Sequence, residues 1–215
     1  MSSASLGFVA ADSSPTPLTR AEQQSRTQAA LIASARRVFG RDGFNGANLA
    51  AIAREAGLTK GAVYSNFDGK AALFLAVLDD DMASFEPETW DPLAKYASVP
   101  NLFGQSVRLP GLATEQREAL GFGLATLEFA AAAARDQELS DALGERLGRL
   151  LSGFEAMARR DHLDDDPLSV KQLGTMLWAF EQGAAILWLI GQMGIDADTL
   201  REVMLRMLRP GEEEN

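Results

Sequence analysis

The chain has 215 residues, 47% of them hydrophobic and 23% charged, no cysteine, and a formal net charge of −10. That length holds one sizeable core or two coupled small ones, and the lack of cysteine excludes disulfides and thiolate metal sites. Met1–Ala11 carries no basic run of the kind that opens a signal peptide. The longest uncharged run of the apolar C-terminal part, Gln182–Ile195, falls short of the ~18–20 residues that span a bilayer. A cytoplasmic protein without membrane contact is expected.

Residues 1–17 are rich in Ser, Ala and Pro, lack periodicity, and read as a disordered tail. Thr19-Arg-Ala-Glu22 is a capping box. The helix it opens places Leu31, Ala35, Val38 and Phe39 on one face and ends at Asp42-Gly43, the glycine suited to a left-handed cap. Asn48 is an N-cap for a second helix that runs to Ala56. Gly57 turns the chain and Thr59 starts a third helix. Asp68 is expected to cap a fourth, about Lys70 to Phe85, with Leu73, Phe74, Val77 and Leu78 as its apolar stripe.

Residues 86–112 hold four of the eight prolines, which predicts short helices and loops, with Trp90, Tyr96, Leu102 and Phe103 available for burial. Two amphipathic helices follow, about 114–135 and 138–160. Asp166 as N-cap and Pro167 at the first helical position then predict a helix from about 168 to 193. Lys171 and Glu181 are its only charges, and a helix apolar on nearly all sides must be buried on most of them. A last helix spans about 196–208. No strand pattern competes, so the fold class is all-α, with an N-terminal three-helix head over residues 18–78 and a helical body over 79–215.

The stretch Leu49–Phe67 carries the functional signal. Two short helices with a glycine at the corner are the sequence form of a helix-turn-helix, whose second helix enters the DNA major groove. Ile52 and Val63 face inward, and Ala53 is small where the helices cross. Lys60, Gly61 and Ala62 form the first turn after Thr59, where base edges are read. Gly61 and Ala62 permit close backbone approach, and Ala62 suits a thymine methyl. Lys60 reaches a guanine edge or a phosphate, Tyr64 offers a ring and hydroxyl with Ser65 beside it, and Asn66 and Lys70 suit flanking phosphates, as does Asn48 at a helix N-terminus. Charge supports this reading: residues 18–71 contain eight basic and four acidic side chains, against 12 and 26 in the rest of the chain. A basic head on an acidic body can grip phosphates while the body stays off the duplex.

Phe39, Gly43-Phe44, Ile52-Ala53, Ala56-Gly57-Leu58-Thr59-Lys60-Gly61, Val63-Tyr64, Phe67, Lys70 and Leu73-Phe74 together resemble the TetR family of bacterial regulators. The match covers about residues 26–78. It departs from the usual pattern at Ala47-Asn48, at Asn66 where histidine is frequent, and at Gly69 before Lys70. The resemblance implies an Ω-shaped homodimer joined through the helices at about 168–193 and 196–208. It also implies a palindromic operator and repression released by a small-molecule effector, for which the mostly apolar body, poor in basic residues to bury, favours a hydrophobic or cationic compound over a phosphorylated one.

Candidate effector contacts are Phe85, Trp90, Phe103, Phe122, Phe129 and Trp178, with plain core as the alternative for each, and Glu181, with an interface rim or an arginine partner as its alternative. His162 among aspartates reads as a solvated loop rather than a metal site, and Asp79-Asp80-Asp81 reads the same way. No cofactor, metal or nucleophile–base set is expected. The competing class is a helical-bundle enzyme or binding protein with a vestigial head.

Overall fold

The first three helices start where their caps predict. The computed structural model describes residues 19–90, 114–161, 166–189 and 197–208. Eight helices lie within these residues, and no strand. The head comprises α1 (Arg20–Gly46), α2 (Leu49–Glu55) and α3 (Lys60–Tyr64), and α4 (Gly69–Asp81) leads out of it. The body contains α5 (Thr114–Ala133), α6 (Gln137–Asp161), α7 (Val170–Leu189) and α8 (Ala197–Leu208). The expectations for residues 1–17, Tyr96, Leu102, Phe103 and His162 lie outside the described residues. So do residues 190–193 of the expected long helix.

The Thr19 box is complete: Thr19 Oγ1 accepts from the Glu22 amide at 3.2 Å, and the Glu22 carboxylate accepts from the Thr19 amide at 2.7 Å. Gly43 adopts φ 73°, but the chain does not stop there; α1 kinks and adds another turn before Ala47 caps it. Two expected caps are replaced. Asp68 makes no capping hydrogen bond, and α4 starts at Gly69 with φ 86°. At α7, Asp166 accepts from the Leu168 amide, but the helix starts after Ser169. Ser169 Oγ accepts from the Gln172 amide at 3.3 Å while Gln172 Oε1 accepts from the Ser169 amide at 2.9 Å, a second capping box that outcompetes the Asp-Pro start. The fourth helix also ends at Asp81 rather than near Phe85, in turns closed by Ala83 and Phe85 amides.

Two apolar clusters hold these elements. The first joins head and body: Leu31, Val38 and Phe39 of α1, Ile52 of α2, Val63 of α3, Leu73, Phe74 and Val77 of α4 and Phe129 of α5 are all fully buried. Five phenylalanines, Phe39, Phe44, Phe74, Phe122 and Phe129, interlock at centroid distances of 4.7–6.0 Å. Each fully buried ring adds about 1.5–3 kcal/mol of hydrophobic stabilisation. The head is thus welded to α5 rather than hung on a linker. The second cluster centres on Phe154, Leu177, Leu200, Met204 and Leu208 of α6–α8. Alpha-1 and α5 cross so closely that a Cβ on Gly121 would lie 1.8 Å from the Gly40 carbonyl oxygen, so this contact requires glycine.

Candidate functional site

The helix-turn-helix is built as its residues predict. Asn48 Oδ1 accepts from the Ala51 amide at 2.9 Å and opens α2. Gly57 turns with φ 69°, a conformation free of strain only without a Cβ. Thr59 Oγ1 accepts from the Ala62 amide at 3.3 Å and opens α3. Ile52, Ala53 and Val63 are buried between the helices. On the outer side Thr59, Lys60, Gly61, Tyr64 and Ser65 are exposed, and Ala62 is half-buried. Tyr64 is 57% exposed, far beyond what a packed aromatic shows, and the Lys60 ammonium lies 5.6 Å from its ring. The five-residue helix therefore presents a cation and an amphipathic ring from a rigid base.

Two expected phosphate contacts are arranged otherwise. Lys70 turns inward: its ammonium donates to the carbonyls of Phe44 at 2.7 Å, Asn45 at 3.2 Å and Ala47 at 3.1 Å, over the Phe44 ring. These carbonyls end α1, so Lys70 acts as its C-terminal cap. Burial draws the Lys70 pKa down, and the Glu128 carboxylate opposes that shift. Asn66 donates its amide to the Ala62 carbonyl at 2.8 Å and to Ser65 Oγ at 3.3 Å, which binds it to the end of α3 instead of leaving it to a phosphate. The head's positive charge is also partly engaged. Arg37 and Arg41 both pair with Glu55 of α2 at 2.7 and 3.2 Å, and Arg36 with Asp80 and Asp81 at the end of α4. Among the described residues, Arg20, Arg26, Arg54 and Lys60 make no ion pair.

A cavity of about 270 Å³ lies in the body, near the lower bound for small-molecule sites. Leu78 and Asp81 of α4, Met82 just after it, Leu127 of α5, Arg146 and Leu150 of α6 and Ile186 of α7 are on its wall. None of the expected pocket residues that are described is on this wall. Phe122 and Phe129 belong to the head–body core, because α5 turns that face toward Phe74. Phe85 stacks edge-on against Trp90, and Trp90 against Phe154, in the second cluster. Trp178 packs partly buried in the same cluster. Glu181 is 2% exposed, as a lone charge on an apolar helix predicts, and it is not on this cavity's wall. No group of three or more His, Cys, Asp or Glu suited to a metal ion occurs among the described residues. No helix there is long and apolar enough to cross a membrane.

Residues 31–77 match the family described as bacterial regulatory proteins, tetR family. This head is similar to the DNA-binding part of TetR-family regulators. The TetR-type head accounts for the curated relatives as well. Over 74 residues the chain is 40% identical to the HTH-type transcriptional regulator TtgR of Pseudomonas putida, a stretch of 34% of this chain and 33% of TtgR, and equally to the probable regulator ArpR of Pseudomonas putida. The match thus spans about a third of the length of these relatives. Among solved structures, NalD of Pseudomonas aeruginosa, a secondary repressor of the MexAB-OprM multidrug efflux pump, aligns at 25% identity and TM-score 0.50 over 86% of this chain and 97% of its own. GusR of Salmonella enterica shares the fold at TM-score 0.58 and 17% identity, over 89% and 98% of the two chains.

The sequence did not single out the residues that tie this TetR-type head to its body. Glu128 of α5 accepts from the Asn45 amide at 2.8 Å, where α1 ends. Asp79, expected to be merely solvated, binds Arg146 at 2.6 Å and also Arg149, both on α6, while its neighbours Asp80 and Asp81 bind Arg36 of α1. These contacts join residues 44 to 83 positions apart, which helical periodicity cannot reveal.

Proposed function

We propose that the protein is a cytoplasmic, DNA-binding transcriptional repressor, released from a palindromic operator by a small molecule, and not an enzyme. The observation that carries this reading is the exposed face of α3. A capped, rigid helix presents Lys60, Gly61, Ala62 and Tyr64 outward, and packing within the chain gives no reason for an exposed tyrosine there. Ser65 and Asn48 flank that face; the Asn48 side-chain oxygen is occupied by its own helix, so the contact left to it is through its amide donor. The repressor sense draws on NalD, and the small-molecule sense on the cavity between α4 and the body helices.

The repressor acts as a homodimer in this reading. Met176, Ala179, Gly183, Ile186 and Leu187 form an exposed, mostly apolar stripe along α7, with Met176 54% and Leu187 48% exposed. Small residues at its centre allow close approach of a second copy of the helix, and α8 lies alongside. Two heads would then enter successive major grooves about 34–36 Å apart. A gel shift with the DNA upstream of the protein's own gene tests the reading. Retardation abolished by Lys60→Ala together with Tyr64→Ala is expected; equal retardation of the variant and of unrelated DNA would refute it.

A further inference from the structure

The cavity wall is largely apolar and carries a single cation, Arg146. That guanidinium is incompletely satisfied. Its Nη1 donates to the Ala142 carbonyl at 2.7 Å and its Nη2 to Asp79 at 2.6 Å, but its Nε–H is cut off from solvent and has no acceptor. A buried donor without a partner is unfavourable, and an acceptor brought to it restores the lost interaction. Asp81 also reaches the wall, but Arg36 holds its charge, and Asp79 is shared between Arg146 and Arg149. Three carboxylates and three guanidiniums therefore neutralise one another. Thr126 and Gln182 are the wall's other polar side chains, and neither accepts from Arg146 Nε.

We propose that this cavity takes an apolar organic acid, with its hydrocarbon against Leu78, Leu127, Leu150 and Ile186 and its carboxylate on Arg146. The assignment rests on the ligand-released reading above and names its ligand class. The acid competes with Asp79 for the same guanidinium. Asp79 stands in the last turn of α4, beside the two aspartates that hold Arg36 of the head. Drawing Arg146 away loosens the end of α4 and with it the head's setting. An ammonium end would instead face Arg146 with no orphaned acceptor to receive it.

Isothermal titration of the full-length protein, without DNA, tests the assignment. The probes are 2-naphthoate and decanoate, each against the alcohol and the primary amine of the same skeleton. The carboxylates should bind about tenfold or more tighter than their alcohols, the range of a charge-assisted hydrogen bond. Arg146→Met should bring carboxylates to the level of alcohols and leave alcohol affinity within about twofold, while Arg206→Met, a remote exposed charge, leaves the preference intact. If Arg146→Met melts early by circular dichroism, Arg146→Lys replaces it; it keeps the charge, loses the Nε donor, and should lower the preference. No carboxylate binding, equal or tighter binding of the amines, or a preference that survives the loss of Arg146 would overturn the proposal. Because no DNA is present, failure of operator recognition shows separately in the gel shift.

Discussion

Single residues divide into those that face outward and those that hold the head in shape. Lys60 and Tyr64 are of the first kind, and sequence spacing alone places them on the outer side of α3. Lys70 is of the second kind, although the same spacing assigns it to a phosphate. The difference arises because three carbonyls at the C-terminal end of α1, more than twenty residues away, converge on its ammonium. Carbonyls that end a helix need donors, and a lysine one helix later meets that need only once the head has folded. Lys70→Met should therefore lower stability by about 1–3 kcal/mol, read as a fall in Tm of several degrees. The salt dependence of DNA binding should stay unchanged, since no phosphate contact is lost; a salt slope reduced by about one would return Lys70 to the phosphate.

At the scale of elements, the helices were legible where local chemistry decides them. Thr19-Glu22, Asn48 and Thr59 cap as their sequences predict. Asp166-Pro167 did not, because Ser169 and Gln172 make a complete box two residues later. How helices approach one another was not legible: Gly40 and Gly121 look like ordinary weak points in helices until their crossing is seen. Gly121→Ala forces a Cβ into the Gly40 carbonyl. It should destabilise the protein by about 1–3 kcal/mol, seen as a lowered denaturation midpoint, whereas an unchanged midpoint would mean the crossing can open freely.

The brace between α1 and α2 makes a pH prediction. Burial raises the Glu55 pKa, but hydrogen bonds and charge from Arg37 and Arg41 outweigh it, leaving the folded value below the ordinary 4.5. A depressed carboxylate contributes stability above its unfolded pKa and loses it as pH falls through the folded value. Acid below about pH 4.5 should thus destabilise the protein more than it does Glu55→Gln; parallel acid curves for the two would exclude the brace.

Across the whole molecule, the two-part organisation was readable from charge and composition, with a basic head and an acidic, apolar body. The union of the parts was not. The phenylalanine cluster, Glu128 at the Asn45 amide and the Asp79–Asp81 run make α1, α4, α5 and α6 one connected unit. Among the candidate pocket aromatics, Phe122 and Phe129 pack in that union and Trp90 and Trp178 in the second cluster, burial that aromatic content by itself does not reveal. In the proposed dimer a connected unit would let a molecule in the cavity change the separation of two heads, and 1–3 kcal/mol of coupling alters operator affinity about 5- to 150-fold. Ala179→Arg, placed on the exposed stripe of α7, should give monomers by light scattering and weaken DNA binding; an unaltered mass would relocate the dimer contact.

The central claim, that two copies of this head read a symmetric DNA site through α3, is tested most directly by selecting bound duplexes from a random library and sequencing them. The account predicts an enriched motif of two inverted half-sites centred about one helical turn apart, with base preferences that change in Lys60→Ala or Tyr64→Ala. Absence of enrichment, or a motif identical in both variants, would contradict it.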